Sequence, residues 1–100
     1  LGYKLKSNNN NIFCIISDGE LNEGSIWESL SFISHHKLKN IIILLDKNNI
    51  QSFGFTKKII FYPNLKKVFS SLGFYTTEVD GHNVSKIYEL IVKKKINLKL

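Results

Sequence analysis

The chain has 100 residues, 43% of them hydrophobic, which bounds it to one small domain (residues 1–100) and argues against disorder. No apolar run reaches the length of a membrane span, so no membrane partner is expected. The formal charge of +6 comes from 14 lysines scattered along the sequence; with no arginine there is no guanidinium fork for bases or phosphates, and nucleic-acid binding is not expected.

The first residues, Leu1-Gly2-Tyr3-Lys4, lack an initiator Met and a signal-peptide layout, and read as an internal stretch of a longer chain. The tract Asn8-Asn9-Asn10-Asn11 predicts a surface loop. Ile12 to Ile16 is a short, continuously apolar run, the pattern of a buried parallel strand. Cys14 within it is the only cysteine, so no internal disulfide is possible. A buried packing role is expected for it, and the compartment is read as the cytoplasm.

Ser17-Asp18-Gly19 is a turn signal. Ser25-Ile26-Trp27-Glu28 has capping-box spacing, and Ile26, Leu30 and Ile33 continue at helical spacing. That helix is expected to end near Lys37-Leu38. Ile41 to Leu45 predicts a second buried strand, and Asp46 to Gly54 a polar loop. Pro63 suits the first turn of a helix that Leu65, Val68, Phe69 and Leu72 continue and Gly73 stops. Phe74 to Val79 reads as a third strand. Val84, Ile87, Tyr88 and Ile91 form a last helical stripe.

Strand and helix alternate, which predicts an α/β fold with a parallel sheet and right-handed crossovers. Ligands of such sheets sit beyond the carboxyl ends of the strands. Asp18-Gly19 follows the first strand and Asp46 to Asn49 the second. If the strands are neighbours, both loops open onto one crevice. A diphosphate there needs backbone N–H groups clear of bulky side chains, which Gly19 and Gly24 permit. It also needs a hard cation with oxygen ligands. Asp18, Asn48 and the Ile50 carbonyl fit an octahedral Mg²⁺ whose other positions go to phosphate and water.

These residues resemble a known signature. Ser17-Asp18-Gly19 followed by Asn48-Asn49, with Asp18 and Asn48 30 positions apart, is similar to the Gly-Asp-Gly to Asn-Asn motif of thiamine diphosphate enzymes. The stretch from Asp18 to Glu28 resembles the transketolase version. So do His35-His36-Lys37-Leu38, Asn49 to Gly54, and Val79-Asp80-Gly81-His82. The likeness covers nearly the whole chain. It implies an incomplete three-layer αβα fold of the thiamine diphosphate-binding type.

By position, the resemblance implies Asp18, Asn48 and the Ile50 carbonyl as metal ligands and Gly19 as a backbone contact of the diphosphate. Glu23 matches an acidic residue near the family's subunit interface and is grouped with the cofactor site. The implied cofactors are thiamine diphosphate and Mg²⁺. The implied reaction moves a two-carbon ketol unit between sugar phosphates. The implied partners are a sugar-phosphate substrate and a C-terminal transketolase domain or subunit, in a homodimer or heterotetramer.

Ser17 departs from the motif, which has Gly there. A positive φ would make its Cβ costly, whereas a negative φ would let its hydroxyl donate a hydrogen bond. The family's histidines near the thiazolium, and the Glu of its partner domain, have no counterpart in these residues. No catalytic residue is therefore assigned, and the isolated chain is expected to be inactive. Two other readings remain open. One is a truncated fragment acting at most as an interaction module. The other is a related thiamine enzyme such as a deoxyxylulose-phosphate synthase, against which the Glu20 to Glu28 stretch speaks. His35 and His36 are expected at a helix end, His82 in a structural turn, and Trp27 as an anchor. Glu20 is given no role.

Overall fold

The structure, a computed structural model, describes residues 1–7, 10–48, 50–51, 54–55 and 64–92, with 50–51 and 54–55 as backbone. A short helix α1 (Gly2–Leu5) leads in. β1 (Ile12–Ser17) ends in a 3₁₀ turn (Asp18–Asn22), and α2 (Gly24–His35) leads back to β2 (Ile41–Asp46). β3 (Ile50–Gln51) and β4 (Gly54–Phe55) follow, then α3 (Leu65–Ser71) and α4 (Val84–Val92). Pro63 and Lys93-Lys94-Lys95 lie outside the described residues.

β1 and β2 pair in parallel, Ile12 opposite Ile41 and Ser17 opposite Asp46. Isoleucines recur in both runs, with Phe13 among them in β1, which suits a strand. Ile16, Ile43 and Leu45 turn toward a core with Leu21, Leu30 of α2, Phe69 of α3 and Phe74. Trp27 and Ile33 of α2 and Leu65 and Leu72 of α3 close that core from the helix side.

Two expectations for the sheet are corrected. β1 is not a buried strand: Ile16 is buried, but Phe13 is 48% and Ile15 74% exposed, and Cys14 is exposed as well. The cause is position. Among the described residues β1 has β2 as its only sheet neighbour, and of its residues only Ile16, near its carboxyl end, joins the buried core. Phe74 to Asp80 is described but forms no strand. Phe74 is drawn into the core by its ring, while the residues after it run along the surface without a ladder partner among the described residues. The loop expected after β2 carries a short antiparallel pairing instead, Ile50 opposite Phe55 and Gln51 opposite Gly54.

The helix ends follow their sequences closely. α3 starts where Asn64 Oδ1 accepts from the Lys67 N–H at 3.0 Å, and α4 where Asn83 Oδ1 accepts from the Lys86 N–H at 3.0 Å. Both α2 and α3 end in the same six-residue closure. At α3 the Phe74 N–H donates to the Phe69 carbonyl and the Gly73 N–H to Ser70, each at 3.0 Å, with Gly73 at φ +91°. The Phe69 and Phe74 rings pack across that closure, centroids 6.3 Å apart. At α2 the Leu38 N–H donates to Ile33 and the Lys37 N–H to Ser34, each at 3.1 Å. Leu38 is buried beneath it. Here the left-handed position, φ +51°, is held by Lys37 rather than by glycine.

A side chain in the left-handed region costs about 1–2 kcal/mol, part of which glycine returns through its freer unfolded chain. Lys37→Gly is therefore expected to raise the unfolding free energy by about 0.5–1 kcal/mol. Urea denaturation followed by circular dichroism measures this. A fall in stability would show that the lysine makes a compensating contact.

Candidate functional site

The parallel ladder ends at Ser17 and Asp46, so the chain leaves both strands at the same edge. Neighbouring strands run about 5 Å apart. Asp18 is the first residue past β1, and Asn48 the second past β2. β3, which begins at Ile50, lies beside the Asp18–Asn22 turn. The residues singled out as oxygen donors thus leave adjacent strand ends or lie next to that turn.

Their surroundings differ. Asp18 is 3% exposed, the one charged residue in the described core, and its Oδ1 is shut off from water. A carboxylate is costly to bury without compensation from hydrogen bonds or a cation. Asn22 Oδ1, at the far end of the same turn, is also shut off from water. Asn48 is exposed at the open side. Gly19 is half-buried within the turn. Glu23 is exposed between the turn and α2; its extended backbone (φ −89°, ψ 125°) starts the helix, and its N–H donates to the Glu20 carbonyl at 2.9 Å. No group of three or more His, Cys, Asp or Glu residues gathers to hold a metal among the described residues. A cation at this edge would rest on one carboxylate with amide and carbonyl oxygens, a donor set for a hard ion such as Mg²⁺.

The turn is fixed from two sides. From below, the Trp27 indole N–H donates to the Leu21 carbonyl at 2.6 Å, and the ring stacks on Phe69 with centroids 6.2 Å apart. Leu21 itself is 1% exposed. Trp27 is thus an anchor, tying the turn to α2 and α3. At the strand end, Ser17 has φ −92° and ψ 159°, ordinary extended backbone. A Cβ is accommodated there without strain, and the Ser17 hydroxyl donates to Glu20 Oε2 at 3.1 Å. The Ser17 N–H donates to the same oxygen at 2.6 Å.

Glu20, which sequence reasoning leaves without a role, does carry a signal. Ser17 and Glu20 stand three apart, the same Ser-x-x-Glu spacing found at Ser25 and Glu28. The Ser25 reading is corrected: α2 already includes Gly24, so Ser25 lies inside the first turn rather than at the cap. The histidines fall where expected. His35 and His36 close α2, ring centroids 5.0 Å apart, with His36 against Phe32. His82 sits in an exposed turn where its N–H donates to Asp80 Oδ1 at 2.9 Å.

Comparison with known proteins gives the class. Residues 3–99 match the family model described as transketolase, thiamine diphosphate binding domain. The chain belongs to that family. It is 34% identical over 86 residues to a 6-deoxy-6-sulfo-D-fructose transketolase subunit of Clostridium sp. (strain MSTE9), covering 86% of this chain and 31% of the relative. It is 36% identical over 80 residues to an apulose-4-phosphate transketolase subunit of Actinobacillus succinogenes, covering 80% and 29%. Human transketolase is 33% identical over 76 residues, 76% of this chain and 12% of the relative. The crystal structure of transketolase from Campylobacter jejuni superposes with a TM-score of 0.81 at 33% identity, over 92% of this chain and 14% of that one. The fold is therefore an incomplete α/β thiamine diphosphate-binding domain, and the chain spans less than a third of the length of these relatives. Among the described residues no helix is long and apolar enough to cross a membrane.

The Trp27 anchor has a measurable weight. Trp27→Phe keeps a ring on Phe69 but removes the bond to Leu21. A net loss of about 1 kcal/mol in unfolding free energy is expected, the worth of one hydrogen bond of this kind. Stability unchanged in urea titrations would mean that the indole N–H contributes nothing to holding the turn.

Proposed function

We propose that this chain supplies the Mg²⁺ and diphosphate half of a thiamine diphosphate site, as part of a transketolase-like transferase acting on sugar phosphates. The observation that carries the reading is a buried carboxylate, Asp18, at the carboxyl end of a parallel strand, with oxygen donors leaving the neighbouring strand at the same edge. Membership of the family supports it. Relatives that are themselves subunits, of a sulfofructose transketolase and of an apulose phosphate transketolase, support a partner domain or partner chain for the other half. The assembly is read as a homodimer or heterotetramer, with Glu23 on the side facing the partner. The compartment is read as the cytoplasm, where a lone thiol such as Cys14 stays reduced.

In this reading the protein does little covalent chemistry. The cofactor, when bound, supplies the nucleophilic carbon for ketol transfer, and the chain binds and orients it. Asp18 supplies the charged oxygen to the metal, and burial spares that carboxylate from competition by water. Asn48 and the Ile50 carbonyl add neutral oxygens, so the metal keeps net positive charge to set against the diphosphate. Gly19 is assigned a backbone contact with the diphosphate, since a residue without a side chain of its own permits close approach. The histidines and the acidic residue that complete the family's chemistry are assigned to segments beyond these residues.

Calorimetric titration of the chain with thiamine diphosphate is expected to give heat only when Mg²⁺ is present, and Asp18→Ala is expected to abolish it. Equal heats for the two proteins would remove Asp18 from the metal site.

A further inference from the structure

The bond pair on Glu20 is specific to the residue that breaks the family motif. One carboxylate oxygen, Oε2, accepts from the Ser17 N–H at 2.6 Å and from the Ser17 hydroxyl at 3.1 Å. A glycine at position 17 would offer the first bond alone. The serine adds a second arm, and both arms close on the residue directly before Asp18. The clamp spans the place where extended backbone gives way to the 3₁₀ turn, the point that sets the direction in which Asp18 leaves β1.

We propose that Glu20 is a positioning residue: through its two bonds to Ser17 it holds the strand end so that the Asp18 carboxylate stays aimed at the cation. This rests on the metal reading of Asp18 above. Three physical points support it. Charge-assisted bonds to a carboxylate are about twice as strong as neutral ones. Groups that orient a metal ligand without touching the metal control affinity. The donors also occupy the Glu20 oxygen, so a second acid within one turn of Asp18 is engaged by Ser17 rather than left to compete for the ion. The departure from glycine at position 17 thus trades backbone freedom for a side-chain strut at no conformational cost, since φ there is −92°.

The test uses Mn²⁺ as the probe, with thiamine diphosphate present. Binding is followed by electron paramagnetic resonance at a temperature where circular dichroism shows each variant folded. Glu20→Ala is expected to weaken Mn²⁺ binding about ten- to a hundredfold, the range for loss of a group that orients a ligand. Ser17→Ala, which keeps the backbone arm, is expected to fall between wild type and Glu20→Ala. Glu20→Gln retains an acceptor for the N–H and should restore most of the affinity. A cap that only stabilised the fold would lower the melting temperature of Glu20→Ala and leave Mn²⁺ affinity unchanged. That result, with Asp18→Ala still abolishing binding, overturns the role of Glu20 and leaves the metal reading standing. If Asp18→Ala binds Mn²⁺ like wild type, the metal reading fails and the positioning role fails with it. Amide hydrogen exchange then still reports on the clamp itself. Exchange at the Ser17 N–H should speed up about tenfold in Glu20→Ala, as expected when one hydrogen bond is lost; equal rates would show that the clamp does not form.

Discussion

The parallel pairing of β1 with β2 is the constraint on which the rest depends. Two parallel strands cannot be joined by a tight turn; the chain must cross over and come back, and here α2 makes that crossover. Because the register runs from Ile12 opposite Ile41 to Ser17 opposite Asp46, both strands finish level. Everything that follows them starts from one edge. Sliding the register by two residues would keep every apolar side chain on its face, yet it would separate Asp18 from Asn48 by a further step of about 6–7 Å. The core beneath the edge guards against that slip. Ile16 and Leu45 lie directly opposite each other in the ladder; Ile16 belongs to the buried cluster with Leu30 and Phe69, and Leu45 packs against that cluster.

Above that core the proposed site combines the side chains of Asp18 and Asn48 with the backbone of Gly19 and Ile50. Its acid is buried, its remaining proposed donors are neutral, and its floor is the Leu21 carbonyl gripped by an indole. The turn between the strand and α2 is tethered at several points: Trp27 below, Glu20 at the strand end, and the Glu23 N–H returning to the Glu20 carbonyl. The crossover helix is in turn tied to α3 by the Ser34 hydroxyl donating to the Leu72 carbonyl.

Much of this was legible in the sequence, for identifiable reasons. Continuous apolar runs at 12–16 and 41–45 made strands, and helical spacing of Ile26, Leu30 and Ile33 made the crossover. Gly73 stopped its helix as expected because the left-handed closure favours a residue without Cβ. What was not legible depends on neighbours that sequence periodicity cannot supply. An apolar run predicts a strand but not what covers it, so the exposure of Cys14 and Ile15 was missed. Phe74 to Val79 has the composition of a strand, yet a strand exists only by pairing, and this one finds no ladder among the described residues. The capping box illustrates a different limit. Two Ser-x-x-Glu matches lie eight residues apart, and only the backbone decides which serine is extended and which is already helical. At the candidate site the proposed acid, amide and glycine are named from spacing and resemblance, whereas the bond pair between Ser17 and Glu20 depends on the extended backbone of Ser17.

The exposed flank of β1 has a consequence for the physical behaviour of the chain. Ile12 to Ser17 carries no charge, no proline and no glycine, and Phe13 and Ile15 stand out from it into solvent. Extended segments of that composition and length are the ones that stack into cross-β assemblies when, as for β1 among the described residues, one edge is left without a neighbour. The net charge of +6 works against such stacking by mutual repulsion, and salt screens that repulsion over a distance of about 10 Å at 0.1 M. Colloidal stability of the chain is therefore tied to ionic strength: dilute buffer protects the same strand that carries Asp18 to its edge, and concentrated salt exposes it to its own copies.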